Sequence, residues 1–303
     1  MRLGVLDVGS NTINLQVMEA HNGAAPVANA SFKHNLHLTE YLDESGAISE
    51  LGIDVLIQAI KEVFNSASKL AMDETLAFAT SAIREAINVD QILDRVEKET
   101  GVELEVLTGA DEAKFTFLAV RRWLGWSVGE ILVLDIGGGS LEIAQGSEEI
   151  PSTTLSMQLG AGRLTREFLS GDPYTEKSIS KLKSQIKERL EEVEDVFHKP
   201  VQRYAYATSK TFRTLRRLQI HYLPEFGENL SLEGLNLILE KLKLMTQKER
   251  TNLPGITGNR AKQIVAGALV AQLTMKKLDL DFVITCPWAL REGVVLHRLD
   301  WLK

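Results

Sequence analysis

The chain has 303 residues, 44% hydrophobic and 25% charged, enough apolar content for one large or two medium domains and too much for a disordered chain. Thirty-four basic against 41 acidic residues leave a formal charge of −7, which argues against sequence-independent gripping of duplex nucleic acid, where Lys and Arg must neutralise phosphates. The single cysteine, Cys286, excludes an internal disulfide; closing the apolar run Val-Ile-Thr-Cys-Pro, it reads as a buried, inert thiol of a cytoplasmic protein.

The first apolar run, 2–7, ends on Asp7 and reads as a strand, not a secretory signal. Strands are then expected at 12–19 and 27–36, a helix at 52–70, a strand at 74–79, a helix at 88–100, a strand at 103–107 and a helix at 110–123. The second half continues the alternation. Strands are expected at 131–135, 140–146 and 150–158, helices at 161–169 and 175–196, and a strand at 202–207. Helices at 209–218, 232–245 and 260–277, a strand at 281–285 and a helix at 289–301 follow. Asp172-Pro173-Tyr174-Thr175-Glu176 offers capping chemistry to the helix at 175–196, whose Lys/Glu-rich surface reads as a solvated face. Such alternation predicts an α/β fold. No window of about 18 apolar residues occurs, so no membrane span is expected. Scattered histidines suggest neither a zinc cluster nor a serine–histidine triad.

The most informative feature is an internal repeat. Residues 3–17 align without gaps on 131–145, setting Asp7 on Asp135, Gly9 on Gly137, Thr12 on Ser140 and Asn14 on Glu142. Each copy is an apolar strand, a tight turn of small residues and a second, alternating strand. Two copies predict two similarly built domains, 1–127 and 128–303, divided in the Gly125–Gly129 segment, with the last helix of the chain able to pack back on the first domain. A glycine-rich turn between strands exposes consecutive backbone N–H groups without Cβ obstruction and can cradle phosphate oxygens, with a Ser or Thr as an extra donor. An Asp at the strand end can hold a hydrated divalent cation against them. Either turn alone also suits a hairpin that merely needs glycine; the second copy favours a phosphate clamp of two turns across an interdomain cleft.

Paired Asp-x-Gly turns, one per domain, resemble the actin/sugar kinase/Hsp70 superfamily, and the details resemble its exopolyphosphatase and guanosine pentaphosphate phosphohydrolase (Ppx/GppA) branch over nearly the whole chain. Asp7-Val8-Gly9-Ser10-Asn11-Thr12 is similar to that family's first phosphate loop, and Ala79 through Ala86 to its first connecting segment. Leu107-Thr108-Gly109-Ala110-Asp111-Glu112-Ala113-Lys114 occupies the place of its acidic catalytic segment. Asp135-Ile136-Gly137-Gly138-Gly139-Ser140-Leu141-Glu142 is close to its second phosphate loop, and Leu159 through Leu164 and Arg260 through Gly267 complete the set. The resemblance implies two ribonuclease H-like, actin-type α/β domains and a cytoplasmic homodimer. The implied activity is hydrolysis of terminal phosphoanhydride bonds of inorganic polyphosphate with Mg²⁺ or Mn²⁺. Hydrolysis of guanosine pentaphosphate or nucleoside triphosphates, a small-molecule kinase and a non-catalytic phosphate-ligand sensor are the alternatives.

The resemblance implies roles for individual residues. Glu112 is the group expected to orient and deprotonate water, with Asp111 its rival; by position alone Glu112 is also an ordinary first-turn acid. Asp135 and Glu142 are expected catalytic and metal partners, with Asp7 as a further metal ligand. Ser10, Asn11, Thr12, Gly137, Gly138, Gly139 and Ser140 are expected phosphate donors, and Arg84 a bidentate phosphate grip. Lys210, Arg213, Arg216 and Arg217 share one helical face, Lys210 and Arg213 expected at the cleft and Arg216 and Arg217 outside it; Arg163 and Arg166 are secondary candidates. Two departures stand out. Ser209-Lys210 replaces a pair that is often Gly-Gly, and the chain stops at Lys303 after Arg291-Glu292-Gly293-Val294, where longer members add helical domains. They lead to the expectation of inorganic polyphosphate, in short chains, as the preferred substrate over nucleotides.

Overall fold

The computed structural model describes residues 1–200 and 202–301. Its contacts divide the chain into two units, Met1–Phe115 joined by the segment from Leu290, and Thr116–Ala289.

The first unit begins with three antiparallel strands, β1 (Arg2–Val8), β2 (Thr12–Glu19) and β3 (Val27–Asn35). Helix α1 (Glu50–Ala67) leads to β4 (Glu74–Ala79), which pairs parallel to β1. The short helix α2 (Ser81–Arg84), α3 (Val89–Thr100), β5 (Glu105–Val106) and α4 (Gly109–Leu124) follow. The sheet order is β3-β2-β1-β4-β5. Both faces of β1 are apolar because both are covered. Leu6 and Val8 pack with Ile13, Leu15 and the apolar stripe Ile53, Leu56, Ile57 and Ile60 of α1. Leu3 and Val5 face the other way, into a cluster with Met18, Phe78, Val295 and Leu299.

The second unit repeats the plan. Strands β6 (Ile131–Ile136), β7 (Leu141–Gly146) and β8 (Thr153–Met157) are antiparallel, and α5 (Ala161–Phe168), α6 (Glu176–Arg189) and α7 (Val193–Val196) lead to β9 (Tyr204–Ala207), parallel to β6. Helix α8 (Lys210–Tyr222), β10 (Leu230–Ser231), α9 (Leu232–Leu244), α10 (Gln247–Thr251), α11 (Arg260–Lys277) and β11 (Phe282–Thr285) complete it. Its sheet runs β8-β7-β6-β9-β11-β10. The first five strands have the same order as the first unit, so the sequence repeat extends to whole ribonuclease H-like sheets. Helix α11 is buried continuously from Ile264 to Met275, which marks it as a central helix packed on several sides.

The division falls within the continuous helix α4 and not at Gly125–Gly129, because Phe115 packs with Leu3, Val5 and Val295 of the first unit. The last helix, α12 (Leu290–Asp300), packs in the first unit. Its Gly293 lies so close to the Phe115 carbonyl that a Cβ would come within 1.9 Å of the oxygen. The helix expected over 175–196 is broken between Arg189 and Val193. The acids Glu188, Glu191, Glu192, Glu194 and Asp195 crowd what would be its C-terminal half, where the helix dipole disfavours negative charge. Helix α8 runs to Tyr222, past the expected end at 218.

Candidate active site

The two turns are built alike to the level of single bonds. In the first, Asp7 pairs in register with Asn14 and Gly9 N donates to Thr12 O at 3.0 Å. In the second, Asp135 pairs with Glu142 and Gly137 N donates to Ser140 O at 2.9 Å.

What lies behind each turn fixes its orientation. In the second, Gly137 O accepts from Ala161 N (3.0 Å), Gly138 O from Gly162 N (2.9 Å) and Arg163 N (3.0 Å), and Gly139 O from Gly160 N (3.1 Å) and Arg163 Nε (3.0 Å). A trans peptide points its N–H opposite to its C=O. Three carbonyls turned onto α5 therefore aim the N–H groups of Gly138, Gly139 and Ser140 away from it, as an anion-binding concavity requires. The first turn uses the same device: Ser10 O accepts from Leu38 N (2.9 Å), and Asn11 O from Leu36 N (2.9 Å) and His37 N (3.3 Å). The N–H groups of Asn11 and Thr12 are thereby turned outward. Close packing explains the glycines of Leu159-Gly160-Ala161-Gly162. A Cβ on Gly160 would stand 2.2 Å from Gly139 C and 2.4 Å from Ser140 N, and one on Gly162 would stand 3.0 Å from Gly138 O.

The acids differ in their surroundings. Asp135 accepts from Thr208 Oγ1 at 2.6 Å, and Glu142, 5% exposed, from Ser156 Oγ at 2.9 Å. Asp7 has the guanidinium of Arg291 beside it, Nε to Oδ2 3.6 Å. Glu112, 8% exposed, is in the first turn of α4, and its carboxylate accepts from Arg84 Nη1, which also donates to Leu107 O at 2.8 Å. Asp111 is committed locally: it accepts from Thr108 Oγ1 (2.5 Å) and Thr108 N (3.3 Å), while its own N–H donates to Thr108 Oγ1 (3.1 Å). Thr108 and Asp111 thus form a reciprocal cap at the start of α4.

Ser209 is the N-cap of α8, accepting from Phe212 N at 3.3 Å, which leaves Lys210 exposed on the first turn; Thr211 Oγ1 donates to Ile136 O at 3.1 Å. Arg213 and Arg217 gather next to Arg260 at the start of α11, and burial first, then these two cations, push the Arg260 guanidinium down from its usual range. Arg216 points elsewhere, to Glu228 O at 2.5 Å. Arg163 serves the turn through its carbonyl contact and pairs with Glu167 at 3.6 Å.

Thus Ser10, Asn11, Thr12, Asp7, Arg84 and Glu112 belong to the first unit, and Asp135, Gly137, Gly138, Gly139, Ser140, Glu142 and Lys210 to the second. Thr208, Ser156 and Arg291, which touch Asp135, Glu142 and Asp7, were not among the expected site residues. Thr208 directly follows the C-terminal end of a parallel strand, a position open to prediction. Ser156 and Arg291 carried no sequence signal. Among the described residues no group of three or more His, Cys, Asp or Glu side chains forms a metal cage, and no helix is long and apolar enough to cross a membrane.

Residues 17–301 match the model of the Ppx/GppA phosphatase family. Exopolyphosphatase 1 of Mycobacterium bovis is 48% identical over 99% of this chain and 89% of its own length, and the Mycobacterium leprae protein of that name is 47% identical. The structure is similar to that of an exopolyphosphatase from Cytophaga hutchinsonii, with a TM-score of 0.87 at 26% identity, covering 100% of this chain and 99% of that one. The Aquifex aeolicus Ppx/GppA protein gives a TM-score of 0.81 at 27% identity, with the same coverage. Sharing the family's sequence along most of its length and the fold of both solved relatives, the chain belongs to the Ppx/GppA phosphatase family.

Proposed function

We propose that this chain is an exopolyphosphatase that hydrolyses the terminal phosphoanhydride bond of inorganic polyphosphate and releases orthophosphate. The observation that carries the assignment of roles is the contrast between neighbouring acids. Asp111 is spent on capping α4, while Glu112 is buried, held by Arg84 and set on a rigid helix. Glu112 orients a water and accepts its proton as the water oxygen bonds to the terminal phosphorus. The bridging P–O bond breaks, and the shortened chain leaves with that oxygen. The outward-turned amides of the phosphate turns bind phosphoryl oxygens, where charge develops as the bond breaks. Arg84 fixes the Glu112 carboxylate and offers its remaining N–H groups to phosphate.

Asp135 and Glu142 are paired across neighbouring strands, backed by the hydroxyls of Thr208 and Ser156. This all-oxygen pair fits Mg²⁺ or Mn²⁺, which are commonly held by one or two carboxylates with substrate phosphates and water filling the other positions. When bound, the ion supplies charge neutralisation for the phosphates that the two carboxylates would repel.

Lys210, exposed at the start of α8, adds a compact positive charge for a run of phosphates, and its side chain crowds the approach that two glycines would give a nucleoside. Polyphosphate is therefore the preferred substrate over guanosine pentaphosphate and ATP. Family resemblance supports a cytoplasmic homodimer, which sedimentation of the purified protein tests. The function itself is tested by orthophosphate release with Mg²⁺ from short-chain polyphosphate, guanosine pentaphosphate and ATP in parallel. Polyphosphate should be cleaved fastest; faster cleavage of guanosine pentaphosphate would reverse the substrate assignment.

A further inference from the structure

The repeat exposes an asymmetry between its two copies. Where the second turn sets Glu142 opposite Asp135, the first sets Asn14 opposite Asp7. Where the second acid is backed by a threonine hydroxyl, the first has a cation beside it, brought by the last helix of the chain. Arg291 stands on the first turn of α12, and its side chain is 22% exposed. Its Nε is 3.6 Å from Asp7 Oδ2, and its Nη1 donates to Gln16 Oε1 at 2.7 Å.

The same Nη1 meets the Asn14 amide. An NH₂ group there would oppose the guanidinium, so the amide is oriented with its oxygen accepting from Arg291 and its nitrogen donating to Ser31 Oγ (2.8 Å) and Phe32 O (3.1 Å). Asp7, Asn14 and Gln16 lie on one face of β1 and β2 by strand alternation and register, the face that α12 covers. Arg291 spans all three.

We infer that Arg291 is a positioning residue for the first phosphate turn: it neutralises Asp7 and locks the Asp7–Asn14 pair, so that Asp7 is not a cation ligand. The charges make the case. Asp7, Asn14 and Arg291 together carry no net charge, so phosphates reach the first turn without a cation to screen an acid. A divalent ion on Asp7 would also be repelled by the guanidinium beside it. The inference rests on the exopolyphosphatase reading only for its kinetic arm.

The test combines metal binding without substrate and a double-mutant cycle. Mn²⁺ dissociation constants are measured by electron paramagnetic resonance for wild type, Asp7→Asn and Asp135→Asn. Asp135→Asn should weaken binding about tenfold or more, while Asp7→Asn should leave it within about twofold. Equal weakening by the two substitutions would overturn the inference. In the kinetic arm, Arg291→Ala should lower kcat/KM by roughly tenfold or more through an exposed Asp7 charge, Arg291→Lys should lower it less, and adding Asp7→Asn to Arg291→Ala should recover part of the loss. A residue that merely anchors α12 would lower the melting temperature, and its kinetic loss would be the same with and without the Asp7 charge; that additive result also overturns the inference. Should wild type release no orthophosphate from polyphosphate, the functional reading fails, while the Mn²⁺ measurements still decide the placement of the cation.

Discussion

Gly160→Ala probes the orientation of the second phosphate turn most sharply. The added methyl would begin 2.2 Å from Gly139 C, and ordinary contact starts at 3.4 Å, so α5 and the turn must part by about 1 Å. All three of the nearest atoms belong to backbone, so no side-chain rotation relieves the clash. Parting by that much breaks the four backbone bonds that hold the turn's carbonyls, now 2.9 to 3.1 Å long. At about 0.5–1.5 kcal/mol each, their loss amounts to roughly 2–6 kcal/mol if α5 lifts away. If the turn shifts instead, the stability loss is smaller but its amides leave the phosphate-binding orientation. Either route should lower catalytic efficiency; thermal unfolding and orthophosphate release measured together separate them. Gly101→Ala is the control. Gly101 caps α3 at φ 70° with nothing within 4 Å of a new Cβ, so the change should cost roughly 1–2 kcal/mol and leave kinetics alone. A Gly160→Ala protein with wild-type melting temperature and kinetics would refute the argument that carbonyl capture by α5 shapes the turn.

Three further outcomes are expected. Asp111→Ala removes the reciprocal cap with Thr108 and should destabilise the protein by about 0.5–2 kcal/mol, with turnover reduced no more than a few-fold; a loss matching that of a Glu112 variant would move the base to Asp111. Lys210→Ala should raise KM for polyphosphate and flatten its salt dependence with little change in kcat, and unchanged constants in a salt titration would free Lys210 of any role. Exhaustive chelation should abolish orthophosphate release, with recovery on adding Mg²⁺ or Mn²⁺; full activity in chelator would remove the cation from the site.

The fold was legible because its signals are local and repeated. Apolar runs, their alternation with helical patterns and the gapless match of 3–17 on 131–145 foretold two α/β units, and α11 runs over the expected 260–277. Where reading along the chain failed, distant partners decided. The division within α4 follows Phe115, which packs with Leu3, Val5 and Phe78 of the first unit, residues far from it along the chain, while the return of α12 to that unit was expected. The short helices α2 and α10 are too brief to leave a periodic pattern. The matching build of the two turns was readable because the repeat sets Asp7 on Asp135 and Gly9 on Gly137. What holds those groups was not: Arg84 reaches Glu112 across 28 positions, and Arg291 reaches Asp7 from the far end of the chain.

The central claim, that Glu112 activates the attacking water, is tested most directly by the rate of orthophosphate release from short-chain polyphosphate by Glu112→Gln at saturating Mg²⁺. The amide preserves shape and the contact with Arg84 through its oxygen, but it cannot accept a proton. The rate should fall by about 10²–10⁴. A rate within about threefold of wild type would contradict the account, since losing a general base costs far more than that.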